Sequence, residues 1–451
     1  MRIIYLLVLL LSLKSAWAEQ RLEFTLHTLD SGQPGPTILV VGGIQGDEPG
    51  GFHAASLLVT NYKITKGNVW VVPNLNFESI IQRSRGLHGD MNRKFDSVHA
   101  NDPDFNSVKR IKDLIVDPQV DIVFNLHDGS GFYRTEHIDK QHNPSRWGQS
   151  IIIDEEVLDV NRFANIGDMS RTVTGQINQK LLDPEHRYAV KNTYTRLGNV
   201  EMAKTLTYFA INNGKAAIGI ETSKNLPTHE RAYYHLQALE SFLSGIGVEW
   251  ERDFELKPDH VKQTINNNLQ IAFYQNKLLL DISNARSHIN YLPLQKNTEL
   301  DFIASNPLVA ITHQNGKYRV NYGNRRITNL HPQYFEYDAS LDSVTIETEG
   351  TLKHVPLGNM VDVNNGFTIT PKKGYRYNVI GWTKRGVNSE AGHSIKKDRI
   401  AKRFSLDREG SIYRVEVYKE KKFSGMVLVK FGHDTDDNKL SSQMLSADDK
   451  T

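Results

Sequence analysis

VVGGIQGDEPGG, residues 40–51, is the stretch of sequence that decides the fold of this chain. It begins at the end of an apolar run typical of a buried strand, continues through a glycine-rich turn, and reaches Pro49, a residue favoured at the first position of a helix. Open α/β sheets bind ligands just outside the carboxyl ends of their strands. Gln45 and Glu48 lie three positions apart on this turn, so we expect both side chains to reach one bound ion.

Apolar strands and amphipathic helices alternate around this stretch, from residue 19 to about residue 246. The predicted strands are residues 37–41, 69–72, 121–126, 151–154 and 216–220. The predicted helices are residues 50–62, 105–116, 157–169, 199–212 and 229–243. Short, continuous apolar runs indicate strands that are covered on both faces. The alternation therefore predicts an α/β domain in which helices flank a mixed or parallel sheet.

The pattern changes after residue 247 to short β-type runs separated by turns. These runs are residues 269–274, 277–282, 308–312, 318–322, 343–347, 367–370, 375–380, 412–417 and 425–431. Asn315-Gly316 and Asn365-Gly366 stand between such runs, and Asn-Gly pairs in this position indicate hairpins. We expect two small all-β modules, sandwiches or barrels, with a boundary near residues 338–342.

The N-terminus has the layout of a cleavable secretory signal peptide. Arg2 provides a short basic region, residues 3–13 are apolar, and Ala16-Trp17-Ala18 is a small-residue cleavage site. An uncleaved anchor is the alternative, although the apolar run is short for a membrane span. We therefore expect a periplasmic protein with no membrane span once the signal is removed.

The sequence thus predicts five segments. They are a signal peptide at 1–18, the α/β domain at 19–247, β domains at 248–340 and 341–433, and a polar tail at 434–451 that we expect to be disordered.

Composition excludes several classes of function. The 451 residues contain 54 basic and 52 acidic side chains, and the two bases in the predicted leader leave the mature chain neutral. Nucleic-acid-binding proteins normally carry a basic excess, so we expect no nucleic-acid partner. The chain has no cysteine, which rules out thiol nucleophiles, iron–sulfur clusters and cysteine-ligated zinc.

A third polar group follows the predicted strand 121–126. It is His127, in the run Asn125-Leu126-His127-Asp128-Gly129. Two strand ends of one sheet can bring Gln45, Glu48 and His127 together, and two oxygens with one imidazole, plus an open position for water, make a catalytic zinc site. The alternatives are that Glu48 only complements a helix dipole and that His127 is an ordinary strand-end histidine.

Taken together, these residues resemble the M14 family of zinc metallocarboxypeptidases. That family binds zinc through an H-x-x-E motif and a distant histidine, which Gln45-Gly46-Asp47-Glu48 and His127 parallel here. Its Asn-Arg pair, which binds the terminal carboxylate of the substrate, corresponds to Asn92 and Arg93. Its oxyanion-stabilising arginine corresponds to Arg85, and its general base corresponds to Glu221 at the end of a late strand.

Gln45 departs from the family, which has histidine at this position. An amide oxygen is a weaker and harder ligand for zinc than an imidazole nitrogen, although both are neutral. The same exchange is found in a subgroup, the periplasmic peptidoglycan DL-carboxypeptidases that determine helical cell shape, which also carry two β domains after the peptidase domain. This chain is similar to that subgroup in its signal peptide, length, glutamine and β-rich C-terminal half.

The resemblance implies a zinc-dependent release of meso-diaminopimelate from the murein tripeptide L-Ala-γ-D-Glu-meso-diaminopimelate. Glu221 would act as general base, Arg85 would stabilise the oxyanion, and Asn92 and Arg93 would bind the terminal carboxylate. Trp147 is a candidate for the pocket wall, although a single tryptophan is more often a packing residue. The β domains would bind other cell-shape proteins.

Two other functions remain open on the sequence alone. One is an acyl hydrolase like succinylglutamate desuccinylase, which shares the G-x-x-G-D-E turn but acts on cytosolic metabolites. The other is a non-catalytic wall-binding protein with a decayed metal site, a hypothesis that Gln45 favours and the retained Glu221 opposes.

Overall fold

The computed structural model describes residues 22–314 and 316–432. The predicted signal peptide, residues 1–18, and the predicted disordered tail, residues 434–451, lie outside the described residues. Within those limits, the structure contains no helix that combines the length and apolar character required to cross a membrane.

The elements before residue 267 build an α/β unit. Its strands are β1 (His27–Asp30), β2 (Thr37–Val41), β3 (Tyr62–Lys66), β4 (Asn68–Val72), β5 (Ile122–Gly129), β6 (Phe132–Tyr133), β7 (His142–Asn143), β8 (Ser150–Ile153), β9 (Ala189–Asn192), β10 (Ala216–Ser223) and β11 (Glu249–Arg252). Its helices are α1 (Pro49–Asn61), α2 (Phe77–Gln82), α3 (Phe105–Ile115), α4 (Ile166–Ile177), α5 (Leu206–Asn212), α6 (Thr228–Ile246) and α7 (Pro258–Asn266).

A mixed sheet in the order β1-β4-β2-β5-β10-β8-β9 forms the centre of this unit. Strands β4, β2, β5 and β10 run parallel to one another. At the two ends of this group, β1 pairs antiparallel with β4 and β8 pairs antiparallel with β10. All residues of β2 and β5 are buried, which explains why β2 reads as an unbroken apolar run and why β5 begins with one. The predicted fold class, a mixed sheet flanked by helices and followed by all-β modules, is confirmed.

Helix α6 packs against α1 and α4, all three pack against the sheet, and α5 covers β5 and β10. Phe124 of β5 lies at the centre of this packing, fully buried, with its ring centroid 4.9 Å from that of Phe242 on α6. The core therefore fixes the strand that carries His127.

Replacing Phe124 by Ala should destabilise the α/β unit by about 3–5 kcal/mol, because the surrounding helices cannot collapse into the cavity that is left. Urea unfolding followed by circular dichroism measures the loss. Leu197→Ala, at a side chain that is 84% exposed, is the matched control and should change stability little. A Phe124→Ala variant as stable as this control would contradict the packing described.

Two predicted helices are wrong in their bounds. The helix predicted at 157–169 begins at Ile166, because Phe163 has a φ of 58°, which the interior of an α-helix does not accommodate. The helix predicted at 199–212 begins at Leu206. Thr205 is extended there and its hydroxyl caps the helix by accepting a hydrogen bond from the backbone N–H of Tyr208.

The remaining elements are strands. They are β12 (Gln270–Phe273), β13 (Leu278–Asp281), β14 (His288–Gln295), β15 (Phe302–Ala304), β16 (Val309–Gln314), β17 (Lys317–Tyr322), β18 (Arg325–Phe335), β19 (Ser343–Thr348), β20 (Thr351–Pro356), β21 (Met360–Val363), β22 (Gly366–Ile369), β23 (Arg376–Val379), β24 (Ser394–Lys396), β25 (Ile412–Lys419) and β26 (Lys422–Phe431).

These strands form two modules with different cores. Sheets β13-β12-β15 and β14-β18-β17-β16 make the first module, whose buried side chains continue the core of the α/β unit. Sheets β20-β19-β22-β24 and β21-β26-β25-β23 make the second, which encloses a core of its own between residues 341 and 431. The first module is thus packed onto the α/β unit, and the second has a separate hydrophobic interior.

One of the two predicted hairpins is correct. Gln314 pairs with Lys317, so β16 and β17 form the expected hairpin. The hairpin predicted at Asn365-Gly366 is wrong, because β21 pairs with β26 while β22 pairs with β19 and β24. The turn there carries the chain from one sheet of the second module to the other.

Candidate active site

The site lies at the carboxyl ends of the central parallel strands. Gln45 and Glu48 occupy the turn between β2 and α1, His127 lies on β5, and Glu221 lies on β10. Glu221 and His127 are register partners on adjacent parallel strands, so their side chains project from the same face. Continuous pairing of β2, β5 and β10 is therefore what assembles residues from three distant parts of the sequence.

Three potential metal donors converge here. The Nδ1 atom of His127 is 3.1 Å from Oε1 of Gln45 and 2.9 Å from Oε2 of Glu48. All three side chains are buried. Two neutral donors and one carboxylate are a ligand set that a divalent ion accepts, and an ion bound there would satisfy three buried polar atoms at once. The residues present fit a metal ion.

Two glycines allow this close approach. A Cβ atom on Gly46 would lie 2.1 Å from the backbone of Ser79, and a Cβ on Gly129 would lie 2.7 Å from Oε2 of Glu221. Since real Cβ contacts are essentially never this short, a side chain at either position would displace the ligand turn or Glu221.

Asp90 organises one wall of the site, a role that the sequence analysis did not assign. Its carboxylate accepts hydrogen bonds from Nε2 of Gln45 at 2.8 Å, from Nε of Arg85 at 3.0 Å and from the backbone N–H of Asn92 at 3.0 Å. Because the amide nitrogen of Gln45 is engaged by Asp90, its Oε1 points toward His127. Such partners orient direct ligands in metalloenzymes.

Glu221 is poised to accept a proton. Its side chain opens onto the cavity, yet Oε2 is shielded from solvent and has no hydrogen-bond partner among the described residues. Burial, reinforced by the charges of Glu48 and Asp128, raises the pKa of Glu221 to about 8, while His127 and Arg85 oppose the shift. A carboxylate in such surroundings is a stronger base than an exposed one.

Asn92 approaches His127 from its other side, and Arg93 lies next to Asn92. Nδ2 of Asn92 is 3.4 Å from Nε2 of His127, and Oδ1 of Asn92 accepts a hydrogen bond from the backbone N–H of Leu206. Arg93 donates to the carbonyl of Asn92 and lies 3.4 Å from Oε2 of the exposed Glu201. The Arg93 guanidinium therefore lies at the rim of the site and has N–H donors that these two contacts do not use.

One cavity of about 310 Å³ connects these groups. All eight residues that the sequence singled out line it, and they are Gln45, Glu48, Arg85, Asn92, Arg93, His127, Trp147 and Glu221. Trp147 is among these lining residues, and the ammonium group of Lys191 lies 3.9 Å from its ring centroid. The structure thus brings every candidate to one place.

Asp128 stabilises the carboxyl end of β5 through buried hydrogen bonds. Its buried carboxylate accepts hydrogen bonds from the backbone N–H of Gly50, from Thr222 and from Arg231, and it pairs with His235. Burial alone would raise its pKa, but the hydrogen bond and charge of His235, with Arg231 and Thr222, hold the pKa well below the usual range for a carboxyl group.

This depressed pKa predicts an acid-dependent loss of stability. A carboxyl group with a lowered pKa in the folded state stabilises the fold above its unfolded pKa of about 4 and loses that contribution as the pH falls below it. Between pH 5 and pH 3 the free energy of unfolding should therefore fall by about 1 kcal/mol more in the wild type than in Asp128→Asn. Urea titrations at the two pH values measure this difference, and equal losses would contradict the arrangement.

Comparisons with known proteins agree with this architecture and site. A family model described as the catalytic part of a carboxypeptidase controlling helical cell shape matches residues 1–266, and one described as the C-terminal domain of metallo-carboxypeptidase matches residues 337–432. The chain is therefore a metallocarboxypeptidase. It belongs to the family of carboxypeptidases that control helical cell shape. No curated protein sequence matches it.

Solved structures of one relative cover nearly the whole chain. The apo form of cell shape determinant Csd4 from Helicobacter pylori is 38% identical, with a TM-score of 0.82 over 91% of this chain and 100% of that one. A tripeptide-bound form of the same protein is 39% identical, with the same coverage and TM-score. An mDAP-bound form, described as a D,L-carboxypeptidase, is 40% identical over 88% of this chain and 97% of that one, with a TM-score of 0.81.

Proposed function

We propose that this chain is a zinc-dependent peptidoglycan DL-carboxypeptidase that releases meso-diaminopimelate from L-Ala-γ-D-Glu-meso-diaminopimelate. The product is the dipeptide, and the reaction shortens stem peptides in the cell wall and helps to determine cell shape. The observation that carries the proposal is the convergence of Gln45, Glu48 and His127 beside Glu221, in a chain whose relative was solved with a tripeptide and with mDAP.

Gln45, Glu48 and His127 would hold the zinc ion. A zinc ion bound there would supply Lewis-acid polarisation of the scissile carbonyl and would lower the pKa of a water molecule. The second oxygen of Glu48, Oε1, faces cations instead, with Arg85 at 3.4 Å and Lys224 at 3.6 Å. These cations offset the charge of Glu48 and leave Oε2 directed toward the other two ligands.

Glu221 would act as the general base and then as the general acid. Its side chain lines the cavity, burial raises its pKa so that the ionised carboxylate is a stronger base than an exposed one, and the leaving amine can take the proton back. Arg85 has a half-exposed guanidinium beside Glu48 and Asp90, from which it can donate to the oxyanion that forms at the scissile carbon.

Asn92 and Arg93 would bind the terminal carboxylate of the substrate. Arginine matches a carboxylate through its planar pair of N–H donors, and Asn92 adds a shorter donor next to His127. The carboxylate of Glu201, which now lies near Arg93, is exposed and can yield to that of the substrate. Trp147 would form the wall against which the leaving residue packs.

The alternatives receive less support. An acyl hydrolase like succinylglutamate desuccinylase does not agree with membership in the cell-shape family. A wall-binding protein with a decayed site would not need a buried carboxylate at position 221 beside the donor set, nor the Asp90 contacts that aim Gln45. The presence of this carboxylate and of the contacts between Asp90 and Gln45 favours a catalytic function.

The segments defined from sequence complete the proposal. We infer a leader at 1–18 that directs export to the periplasm, a catalytic domain at 19–247, β domains at 248–340 and 341–433, and a tail after residue 433. The two β modules are candidates for contacts with other cell-shape proteins, since neither contributes a residue to the cavity within the described chain.

Mass spectrometry of a zinc-loaded reaction with the purified tripeptide tests the function. The expected products are the dipeptide and free meso-diaminopimelate in equal amounts. Recovery of intact tripeptide, or release of a different residue, would contradict the proposal. The matched control is the pentapeptide, whose C-terminal residue is not diaminopimelate and which should remain uncleaved.

A further inference from the structure

Lys224 is cationic and lines the cavity, but the reaction proposed above assigns it no contact with the substrate. It follows β10 directly, and its side chain is 29% exposed, bordering the cavity. Its ammonium group lies 2.6 Å from Oδ2 of Asp47 and 3.6 Å from Oε1 of Glu48. Lys224 could not be recognised from the sequence, because a lysine after a strand is common and nothing in its spacing marks it.

The backbone around Lys224 is held firmly. Its N–H donates to the carbonyl of Gly129 at 2.7 Å, and its carbonyl accepts from Nη2 of Arg231 at 2.9 Å. Arg231 in turn binds Asp128, the residue after His127. These bonds fix the base of the Lys224 side chain relative to His127, and the ammonium group at its end borders the cavity beside Asp47.

Arg93 and Lys224 are next to residues that contact different nitrogens of His127. Asn92, whose carbonyl accepts from Arg93, approaches Nε2, whereas Glu48, with Lys224 3.6 Å beyond it, faces Nδ1. A substrate whose scissile amide lies at the donor set and whose terminal carboxylate reaches Arg93 therefore extends its acyl part toward Lys224.

The acyl part of the proposed substrate carries a charge of its own. Because its glutamate is linked through the γ-carboxyl group, the α-carboxylate remains free and ionised close to the scissile amide. Three permanently charged cations line the cavity in the part of the chain that the structure describes, and they are Arg85, Arg93 and Lys224. The tripeptide has two further carboxylates, both on the leaving diaminopimelate: the terminal one, assigned above to Arg93, and one at the distant D-centre. With Arg85 assigned to the oxyanion, Lys224 is the cavity cation that remains for the carboxylate on the acyl side.

We propose that Lys224 is a specificity-determining residue that binds the free α-carboxylate of a γ-linked glutamate on the acyl side of the scissile bond. This inference rests on the proposed function. The pair with Asp47 does not prevent this contact, since both side chains are partly exposed and exposed ion pairs are weak. An ammonium group has three donors, so Lys224 can keep Asp47 and bind the substrate at the same time.

Lys224 also lies beside Glu48, and the test must separate support of Glu48 from binding of the substrate. By lying near Oε1 of Glu48, its charge also helps to hold a metal ligand in place. A residue that only supported Glu48 would affect all substrates alike and would alter metal retention. A residue that binds the α-carboxylate would affect only substrates that possess it.

The experiment compares two tripeptides, the natural L-Ala-γ-D-Glu-meso-diaminopimelate and its analogue with the glutamate α-carboxylate replaced by a carboxamide. The full chain, loaded with zinc, is assayed as wild type and as Lys224→Met, Lys224→Arg and Lys109→Met. Lys109 is the control, because it pairs with Asp113 on the outer surface of α3 and does not line the cavity. Zinc content is measured for every variant.

We expect the wild type and Lys109→Met to prefer the free carboxylate by about tenfold or more in kcat/KM, as for a charge-assisted hydrogen bond. Lys224→Met should reduce that preference to about one with its zinc content unchanged, and Lys224→Arg should retain most of it. Equal cleavage of both tripeptides by the wild type would overturn the inference and leave the proposed function intact. Lys224→Met with the wild-type preference, or with lost zinc and equal losses on both substrates, would also overturn it. If the wild type cleaves neither, the proposed function and this inference fall together.

Discussion

Replacing Glu221 by Gln is expected to lower kcat for tripeptide hydrolysis by about a thousandfold while zinc stays bound. Gln keeps the size of the side chain but cannot take up a proton, and a positioned general base contributes about 10²- to 10⁴-fold to such reactions. Glu221 is not one of the three converging donors, so its loss leaves those donors in place. Steady-state kinetics and the zinc content of the same preparations measure the two effects.

The Glu221 experiment has an internal control in the second β module. Glu347 of β19 is exposed and lies far from the cavity in sequence and fold, so Glu347→Gln should retain wild-type kcat. Glu221→Ala should behave like Glu221→Gln, because both lack the proton acceptor. Turnover close to that of the wild type in either Glu221 variant would refute the assignment of the base.

Replacing His127 by Ala is expected to weaken zinc binding by more than about 100-fold and to abolish activity with it. Loss of partners that only orient a ligand already costs about 10- to 100-fold in affinity, so loss of a direct ligand should cost more. Gln45→His should act in the opposite direction and tighten zinc retention by about tenfold, because imidazole is the better ligand for zinc. Competition with a chromophoric chelator measures both changes.

His354 provides the matched control for the metal experiment. It is exposed on β20, where it pairs with the hydroxyl of Thr345, and its replacement by Ala should leave zinc affinity unchanged. Full zinc retention by His127→Ala would contradict the proposed ligand set. Weaker zinc binding by Gln45→His would show that the contact between Gln45 and Asp90 matters more than the ligand type.

The central strands could be predicted because burial on both faces leaves a signature in the sequence. β2 is an unbroken apolar run for that reason, and β5 begins with one. The edge strands β1 and β11 alternate between exposed and partly buried residues and were not predicted. Helix α7 was not expected either. Its apolar face has only two buried residues, Val261 and Ile265, which is too few to give a recognisable helical pattern. The start of α4 depended on a left-handed Phe163, which composition does not reveal.

The candidate site could be predicted where it depends on strand ends. Gln45, His127 and Glu221 follow or end buried strands, so topology alone brings them to one edge of the sheet. Asp90 and Lys224 could not be assigned, because their roles depend on side-chain contacts across the cavity. Asp90 reaches Gln45 from 45 positions away, and Lys224 reaches Asp47 from 177 positions away. Such contacts become visible only when the turns are folded.

The most direct test of the account is to titrate the metal-free chain with zinc while measuring release of meso-diaminopimelate from the tripeptide. We expect no release without metal and a rate that rises linearly until one zinc ion is bound per chain, then stays constant. Release that does not depend on zinc, or a maximum that requires two ions per chain, would contradict a single site formed by Gln45, Glu48 and His127.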